Sequence, residues 1–91
     1  MVTPENKFEE LIIKVCSELS ETLILKNREY GNSFSDSRKR FGLIHKDEKI
    51  PLVFHASEKI SRYEIGGSED SVFDLAGYAV LEIACRRETL D

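Results

Sequence analysis

Side chains able to hold an anionic ligand are concentrated in two parts of this chain, and the first is the stretch KNREYGNSF at residues 26–34. Its lysine, asparagine and tyrosine side chains are groups that could hold a ligand. The alternative interpretation is structural, with Tyr30 as a core anchor and Gly31 as the end of a helix. Taken alone, the residue types favour the structural interpretation. The candidate ligand contacts are Lys26, Asn27, Tyr30 and Asn32.

The second concentration of polar side chains flanks the dipeptide Gly66-Gly67. If both flanking segments are helical, a short glycine turn makes them antiparallel. Counted outward from that turn, Lys59 falls near Asp74. One helical turn further out, His55 falls near Tyr78. The residues that share a face by their three- or four-residue spacing are His55, Lys59 and Arg62 before the turn, and Asp70, Asp74 and Tyr78 after it.

Two interpretations of these residues are open. In the first, salt bridges join the helices, Lys59 with Asp74 and a second pair between Arg62 and Asp70. Such bridges contribute only ~0–1 kcal/mol when exposed. In the second, carboxylates on adjacent helices share a magnesium ion through oxygen ligands, and the cations meet a phosphate. Spacing alone favours the salt bridges.

The elements that would position these residues are helices. Apolar residues recur at helical spacing after Thr3-Pro4 and predict a first helix from there to about Glu29. Gly31 is the expected stop of that helix. A short helix is predicted over residues 35–41, followed by a loop over GLIHKDEK at residues 42–49.

A helical hairpin is predicted for the rest of the chain. Pro51 suits the first turn of its first helix, which ends at Gly66-Gly67, and Ser68 caps the helix that follows. No segment alternates with the period of a strand over more than about four residues. The predicted fold class is therefore all-α, with a long N-terminal helix, a short connector helix and an antiparallel helical hairpin.

The composition predicts one small domain over residues 1–91 that does not bind duplex nucleic acid or a membrane. The formal net charge of −4 lacks the basic excess of such binders, and no apolar run approaches the ~20 residues of a membrane span. Cys16 and Cys85 have no CxxC spacing, so we expect buried thiols in a reducing cytoplasm. The first helix carries more apolar width than a hairpin can cover, which predicts a homo-oligomer.

Three blocks of the sequence carry a family resemblance. KNREYGNSF, EKISRY and EDSVFDLAGYAVL, in this order between Lys26 and Leu81, resemble the nucleotide-modification-associated domain of the first type. That family is similar to the all-α nucleoside triphosphate pyrophosphatases of the MazG-like kind. The resemblance implies a MazG-like fold, completed by oligomerisation, and a nucleotide-derived ligand. It also shifts our expectation for the first stretch towards a wall of the ligand site.

In MazG-like enzymes, paired acids on two helices hold magnesium, which positions a water for attack on the triphosphate. The resemblance places Asp74 at the last acid of this set, with Asp70 one position off the family spacing. Glu58 lacks its partner acid, because Ser61 and Arg62 follow at the relevant positions. Glu29 is a further candidate carboxylate. The metal ligands implied for an enzyme are therefore Glu58, Asp70 and Asp74.

The broken acid pair, the small size and the basic face of His55, Lys59 and Arg62 favour binding over hydrolysis. We therefore expect a module that binds a phosphorylated nucleotide or nucleotide second messenger without turnover and needs no cofactor to do so. The resemblance suggests a phage protein that sequesters a signalling nucleotide of the host defence in the bacterial cytoplasm. The alternative is a magnesium-dependent nucleoside triphosphate pyrophosphohydrolase. A third possibility is a structural or interaction domain, in which the charges are solvated faces.

Overall fold

The computed structural model describes residues 2–90, with the side chains of residues 2–88, and this part of the chain contains four helices and no strand. The prediction of an all-α fold is confirmed. The internal contacts divide the chain into two compact units, of which the first ends at Gly31 and the second begins at Asn32. The helices are α1 Lys7–Tyr30, α2 Ser33–Ile44, α3 Ile50–Gly66 and α4 Glu69–Leu90.

The first unit consists of α1. Its N-terminal cap is Asn6, whose side-chain oxygen accepts a hydrogen bond from the Glu9 backbone N–H at 2.9 Å. The predicted start at Thr3-Pro4 was therefore wrong, because Asn6 satisfies a free N–H of the first turn instead. The predicted stop is confirmed: Gly31 adopts the left-handed conformation at φ 60°, and its N–H donates to the Asn27 carbonyl.

The apolar stripe of α1 is mostly open to solvent. Leu19 is buried, but Phe8, Ile12 and Val15 are each about half exposed or more. Cys16 is exposed as well, so the prediction that both thiols are buried was wrong for this one. Cys85 in the second unit is half-buried.

The second unit is built from α2 and the hairpin of α3 and α4. Helix α2 is longer than predicted, since residues 42–44 continue it and only residues 45–49 form the connection to α3. Phe34 of α2 is buried, and α2 contacts both hairpin helices. This arrangement fixes α2 against the two helices that carry the candidate site.

The hairpin follows the predicted turn chemistry. Pro51 lies in the first turn of α3, where its missing N–H costs no helical hydrogen bond. Gly67 ends α3 in the left-handed conformation at φ 63°, and its N–H donates to the Tyr63 carbonyl at 2.7 Å. The Ser68 hydroxyl accepts from the Asp70 N–H at 3.1 Å, which caps α4. The short turn makes α3 and α4 antiparallel and packs them side by side.

None of the helices within residues 2–90 has the length and apolar character needed to cross a membrane.

Candidate functional site

A stack of aromatic rings lies across the hairpin. The rings of His55 on α3 and Tyr78 on α4 are parallel to within 2°, with centroids 4.3 Å apart. Tyr78 also contacts the buried ring of Phe34, whose centroid is 6.0 Å away at a tilt of 37°. Phe54 approaches His55 edge-on at 5.5 Å. The His55 side chain is 35% exposed, so the stack connects a solvent-facing imidazole to the core of the second unit.

An ion pair lies one helical turn from the stack. The Lys59 Nζ is 3.2 Å from the Asp74 Oδ2, and their side chains are 14% and 36% exposed. The spacing places this pair next to the rings on both helices, since Lys59 follows His55 by four residues and Asp74 precedes Tyr78 by four. Both cross-helix neighbours predicted by counting from the glycine turn are thus confirmed.

Among the described residues, no ion pair joins Glu58, Arg62 or Asp70 to this pair. Arg62 is exposed, and among the described residues no ion pair joins it to Asp70. Glu58 Oε1 lies 3.5 Å from the His55 Nδ1 instead of beside another acid. Within residues 2–88, no three His, Cys, Asp or Glu side chains are grouped so that they could hold a metal ion. A magnesium site at Glu58, Asp70 and Asp74 stays a prediction of the enzyme alternative.

The first candidate stretch spans the division between the two units. Lys26 and Tyr30 are exposed on the last turns of α1, and Asn27 is half-buried there. Asn32 is exposed at the start of the second unit, in the left-handed conformation at φ 62°. Their predicted role as a wall of the ligand site stays a prediction, since the structure describes α1 and the hairpin as separate units.

A second polar cluster, which the sequence reasoning missed, joins α2 to α4. Arg38 and Glu82 are 7% and 4% exposed and form two parallel hydrogen bonds, Nε to Oε1 at 2.9 Å and Nη2 to Oε2 at 3.0 Å. Arg86 Nε donates to the same Glu82 Oε2 at 2.7 Å. The third nitrogen of Arg38, Nη1, donates to Glu48 Oε2 at 3.3 Å. This arrangement satisfies both buried charges.

The surroundings set the protonation of this cluster. Burial alone would raise the pKa of Glu82, but the hydrogen bonds from Arg38 and Arg86 outweigh it and leave that pKa below its ordinary value. The hydrogen bond to Glu82 raises the pKa of the Arg38 guanidinium, so the arginine stays charged. Burial also raises the pKa of the nearby Cys85 thiol, although a hydrogen bond with Ser35 opposes this change. The thiol is therefore a poor nucleophile.

Part of this second cluster could have been predicted from the sequence. The four-residue line of polar residues on α4 continues beyond Tyr78 to Glu82 and Arg86, and extending it by two turns would have included both. Arg38 carried no such signal, because it stands beside Lys39 and Arg40 in one basic run. Only the placement of α2 against α4 distinguishes the buried arginine from its exposed neighbours.

Comparison with known proteins does not identify a relative of this chain. The three blocks that resemble the nucleotide-modification-associated domain lie across the end of α1 and the start of α2, on α3 and on α4. The family assignment stays a prediction from those blocks. Compared as a whole, the chain matches no protein-family model, no curated protein and no solved structure.

Proposed function

We propose that the face of the α3–α4 hairpin around His55 and Lys59 binds a phosphorylated nucleotide without turning it over. The observation that carries this proposal is the stack of His55 on Tyr78 one helical turn from the Lys59–Asp74 pair. A flat ring and a cation at this separation suit the two ends of a nucleotide, its base and its phosphate.

The base would stack on the partly exposed imidazole, on the face that Tyr78 does not cover. His55 is held in place by the parallel ring of Tyr78, which is itself packed against Phe34. A ring held in this way loses little freedom on binding, and a base stacked on an aromatic side chain contributes ~1–3 kcal/mol. Tyr78 would act mainly by positioning His55.

The phosphate would take the place of Asp74 at Lys59. A partly exposed ion pair contributes only ~0–1 kcal/mol, so exchanging its acid for a ligand phosphate costs little. Charge-assisted hydrogen bonds to phosphate are the stronger kind, which favours the exchange. Arg62 is exposed one turn further along α3 and can join the same phosphate. The released Asp74 carboxylate would then accept a hydrogen bond from a sugar hydroxyl.

The resemblance described above extends the proposal to a biological role. On that basis the ligand would be a nucleotide second messenger of host defence, and the protein would be a phage product that sequesters it in the cytoplasm of the infected bacterium. Hydrolysis would instead require Glu58, Asp70 and Asp74 to converge on a magnesium ion.

We also propose that the protein works as a homo-oligomer. The support is the exposed apolar stripe of α1, where Phe8, Ile12 and Val15 have about half or more of their surface open to solvent. Exposed apolar patches of this kind commonly mark protein–protein contacts, and a second copy of α1 offers a matching stripe. Multi-angle light scattering should report a dimer or larger species, and Ile12→Lys should lower its mass. A monodisperse monomer at micromolar concentration would contradict the proposal.

A binding and release experiment tests the main proposal. The purified protein is mixed with nucleoside triphosphates, cyclic dinucleotides and ADP-ribose-type messengers, with magnesium or with a chelator. The bound fraction is then heated, and its contents are identified by chromatography with mass detection. Intact ligand released on heating under both conditions supports sequestration. Magnesium-dependent monophosphate and pyrophosphate would instead support the pyrophosphohydrolase.

A matched pair of lysine variants locates the site. Lys59→Met keeps the aliphatic stem but removes the charge, and it should weaken binding about tenfold, as the loss of one charged hydrogen bond does. Lys39→Met is the control, because Lys39 is a 62% exposed lysine of α2 whose pair with Glu88 is 3.9 Å long. Equal losses in the two variants would contradict a hairpin site.

A further inference from the structure

We propose that a second, separate site for a phosphate-class oxyanion lies where the α2–α3 connection meets the C-terminal half of α4. A cleft of about 650 Å³ opens there. None of the residues that line it belongs to the ring stack or to the Lys59–Asp74 pair, so this inference does not rest on the proposed nucleotide site. The lining residues are Arg38, Gly42, Lys46, Asp47, Glu48, Lys49 and Arg86.

Arg38 supplies a fixed guanidinium at the floor of this cleft. It is more than nine-tenths buried, and Glu82 holds two of its nitrogens at 2.9 and 3.0 Å. The third nitrogen, Nη1, is directed at the lining residue Glu48, whose carboxylate accepts at 3.3 Å. A buried arginine fixed by one carboxylate, with one nitrogen directed at the cleft, is a preorganised anion-binding group.

Glu48 occupies the position that an anion would take. Its side chain is 58% exposed, so it reaches Arg38 from solvent, and if it swings away the buried guanidinium is still paired with Glu82. The bond is also longer than the two to Glu82, consistent with a weaker hold. Glu48 therefore acts as an internal competitor that a bound oxyanion displaces.

The charges around Nη1 favour an oxyanion over a neutral ligand. Four cations (Arg38, Lys46, Lys49 and Arg86) and two acids (Asp47 and Glu48) line the cleft. The buried carboxylate of Glu82 binds both arginines, and counting it as a third acid still leaves one positive charge in excess. One of these acids, Asp47, keeps its charge but is held beside the start of α3, because its Oδ1 accepts a hydrogen bond from the Lys49 N–H at 3.0 Å. Helix α3 begins at Ile50, so its dipole adds a further partial positive charge at this end.

The chemistry of the lining also limits the ligand to a compact group. The lining residues named above include no aromatic side chain on which a base could stack. Recognition would come from guanidinium and ammonium groups, which match the tetrahedral oxygens of phosphate. Free phosphate or the phosphate of a small metabolite fits this description.

The test is a titration with inorganic phosphate at constant ionic strength near neutral pH, with chloride as the reference salt. Backbone and arginine side-chain NMR signals report binding, and we expect phosphate to shift those of residues 42–50 and of Arg38. Shifts that chloride reproduces equally would overturn the proposal. So would shifts confined to residues outside the cleft.

Two variants separate a binding role from a structural one. Glu48→Gln removes the competing charge and should tighten phosphate binding about threefold, the scale of an exposed ion pair. Lys49→Met should weaken binding by a similar factor, whereas Lys39→Met, outside the cleft, should leave it unchanged. If Glu48 only holds the connection in place, Glu48→Gln would lower stability without raising phosphate affinity, and the proposal would fail.

Discussion

Two of the ion pairs that α4 makes with other helices differ in almost every physical respect. Glu82 binds Arg38 of α2 through two parallel hydrogen bonds at 2.9 and 3.0 Å, with both residues more than nine-tenths buried. Asp74, two turns earlier on the same side of α4, meets Lys59 of α3 at a single contact of 3.2 Å. Asp74 is about one-third exposed.

The difference indicates that the Arg38–Glu82 pair has a structural role and that the Lys59–Asp74 pair can exchange a partner. Removing one partner of a buried pair strands the other charge away from water, so the first pair must stay intact for α2 to remain docked on α4. In the second pair Asp74 is 36% exposed, so water or a ligand can take its place at Lys59 at a lower cost. The pair that is weak as a structural element is therefore the better candidate for binding chemistry.

The largest effect that would test this contrast comes from Arg38→Met. The variant leaves Glu82 buried without its bidentate partner, and we expect the free energy of unfolding to fall by about 3 kcal/mol in urea denaturation. The double variant Arg38→Met with Glu82→Leu removes both charges and should recover most of that loss. A loss below about 1 kcal/mol in the single variant would mean that this pair is as dispensable as an exposed one.

Acid should weaken the buried pair selectively. The pKa of Glu82 is lower in the folded protein than its ordinary value of 4.5, because the hydrogen bonds from Arg38 and Arg86 outweigh the opposing effect of burial. Just below pH 4.5 the unfolded chain binds this proton and the folded chain does not. The contribution of Glu82 to stability is therefore fully present above that pH and is lost as the pH falls through the folded pKa.

The pH prediction is measured as the free energy of unfolding between about pH 3 and pH 6. The wild type should lose stability more steeply on the acid side than the double variant at Arg38 and Glu82, which lacks the carboxylate. Parallel curves would show that other carboxylates account for the acid loss and that Glu82 is not specially stabilised.

The same contrast shows what the sequence could and could not reveal. The Lys59–Asp74 pair was predictable because a short glycine turn fixes the register of the two helices, so counting residues outward was enough. The Arg38–Glu82 pair joins residues 44 positions apart through a helix whose docking no local pattern specifies. The all-α class followed from helical periodicity, but residues 42–44 were predicted as part of a loop and instead continue α2.

The first candidate stretch gives a related lesson. The types of Lys26, Asn27 and Tyr30 are suited to nucleotide binding, and Gly31 correctly predicted the end of α1. Whether these side chains meet the hairpin depends on how two units are arranged, and residue types carry no information on that. The sequence therefore shows which side chains could bind a ligand, but it does not show whether the fold brings them together.

The turn that sets the register of the Lys59–Asp74 pair can be tested at its two glycines. Gly67 has φ 63°, so Gly67→Ala strains the backbone and should lower stability by about 1 kcal/mol. Gly66 lies at the end of α3 without a positive φ, and an added Cβ would meet nothing within 4 Å. Gly66→Ala should therefore raise stability by about 0.5 kcal/mol. Thermal unfolding of the two variants measures both changes, and effects of the same sign would contradict this account of the turn.

The smallest expected loss of stability is at the partly exposed Lys59–Asp74 pair itself. Lys59→Met should lower the free energy of unfolding by only about 0.5 kcal/mol, because Asp74 remains partly solvated once its partner is gone. Urea denaturation beside Arg38→Met gives the direct comparison. A loss approaching that of Arg38→Met would make Lys59 a structural residue, and its effect on nucleotide binding could then arise from a disturbed hairpin. A small loss together with weaker binding would instead mean that Lys59 can exchange its carboxylate for a ligand phosphate while the fold stays intact.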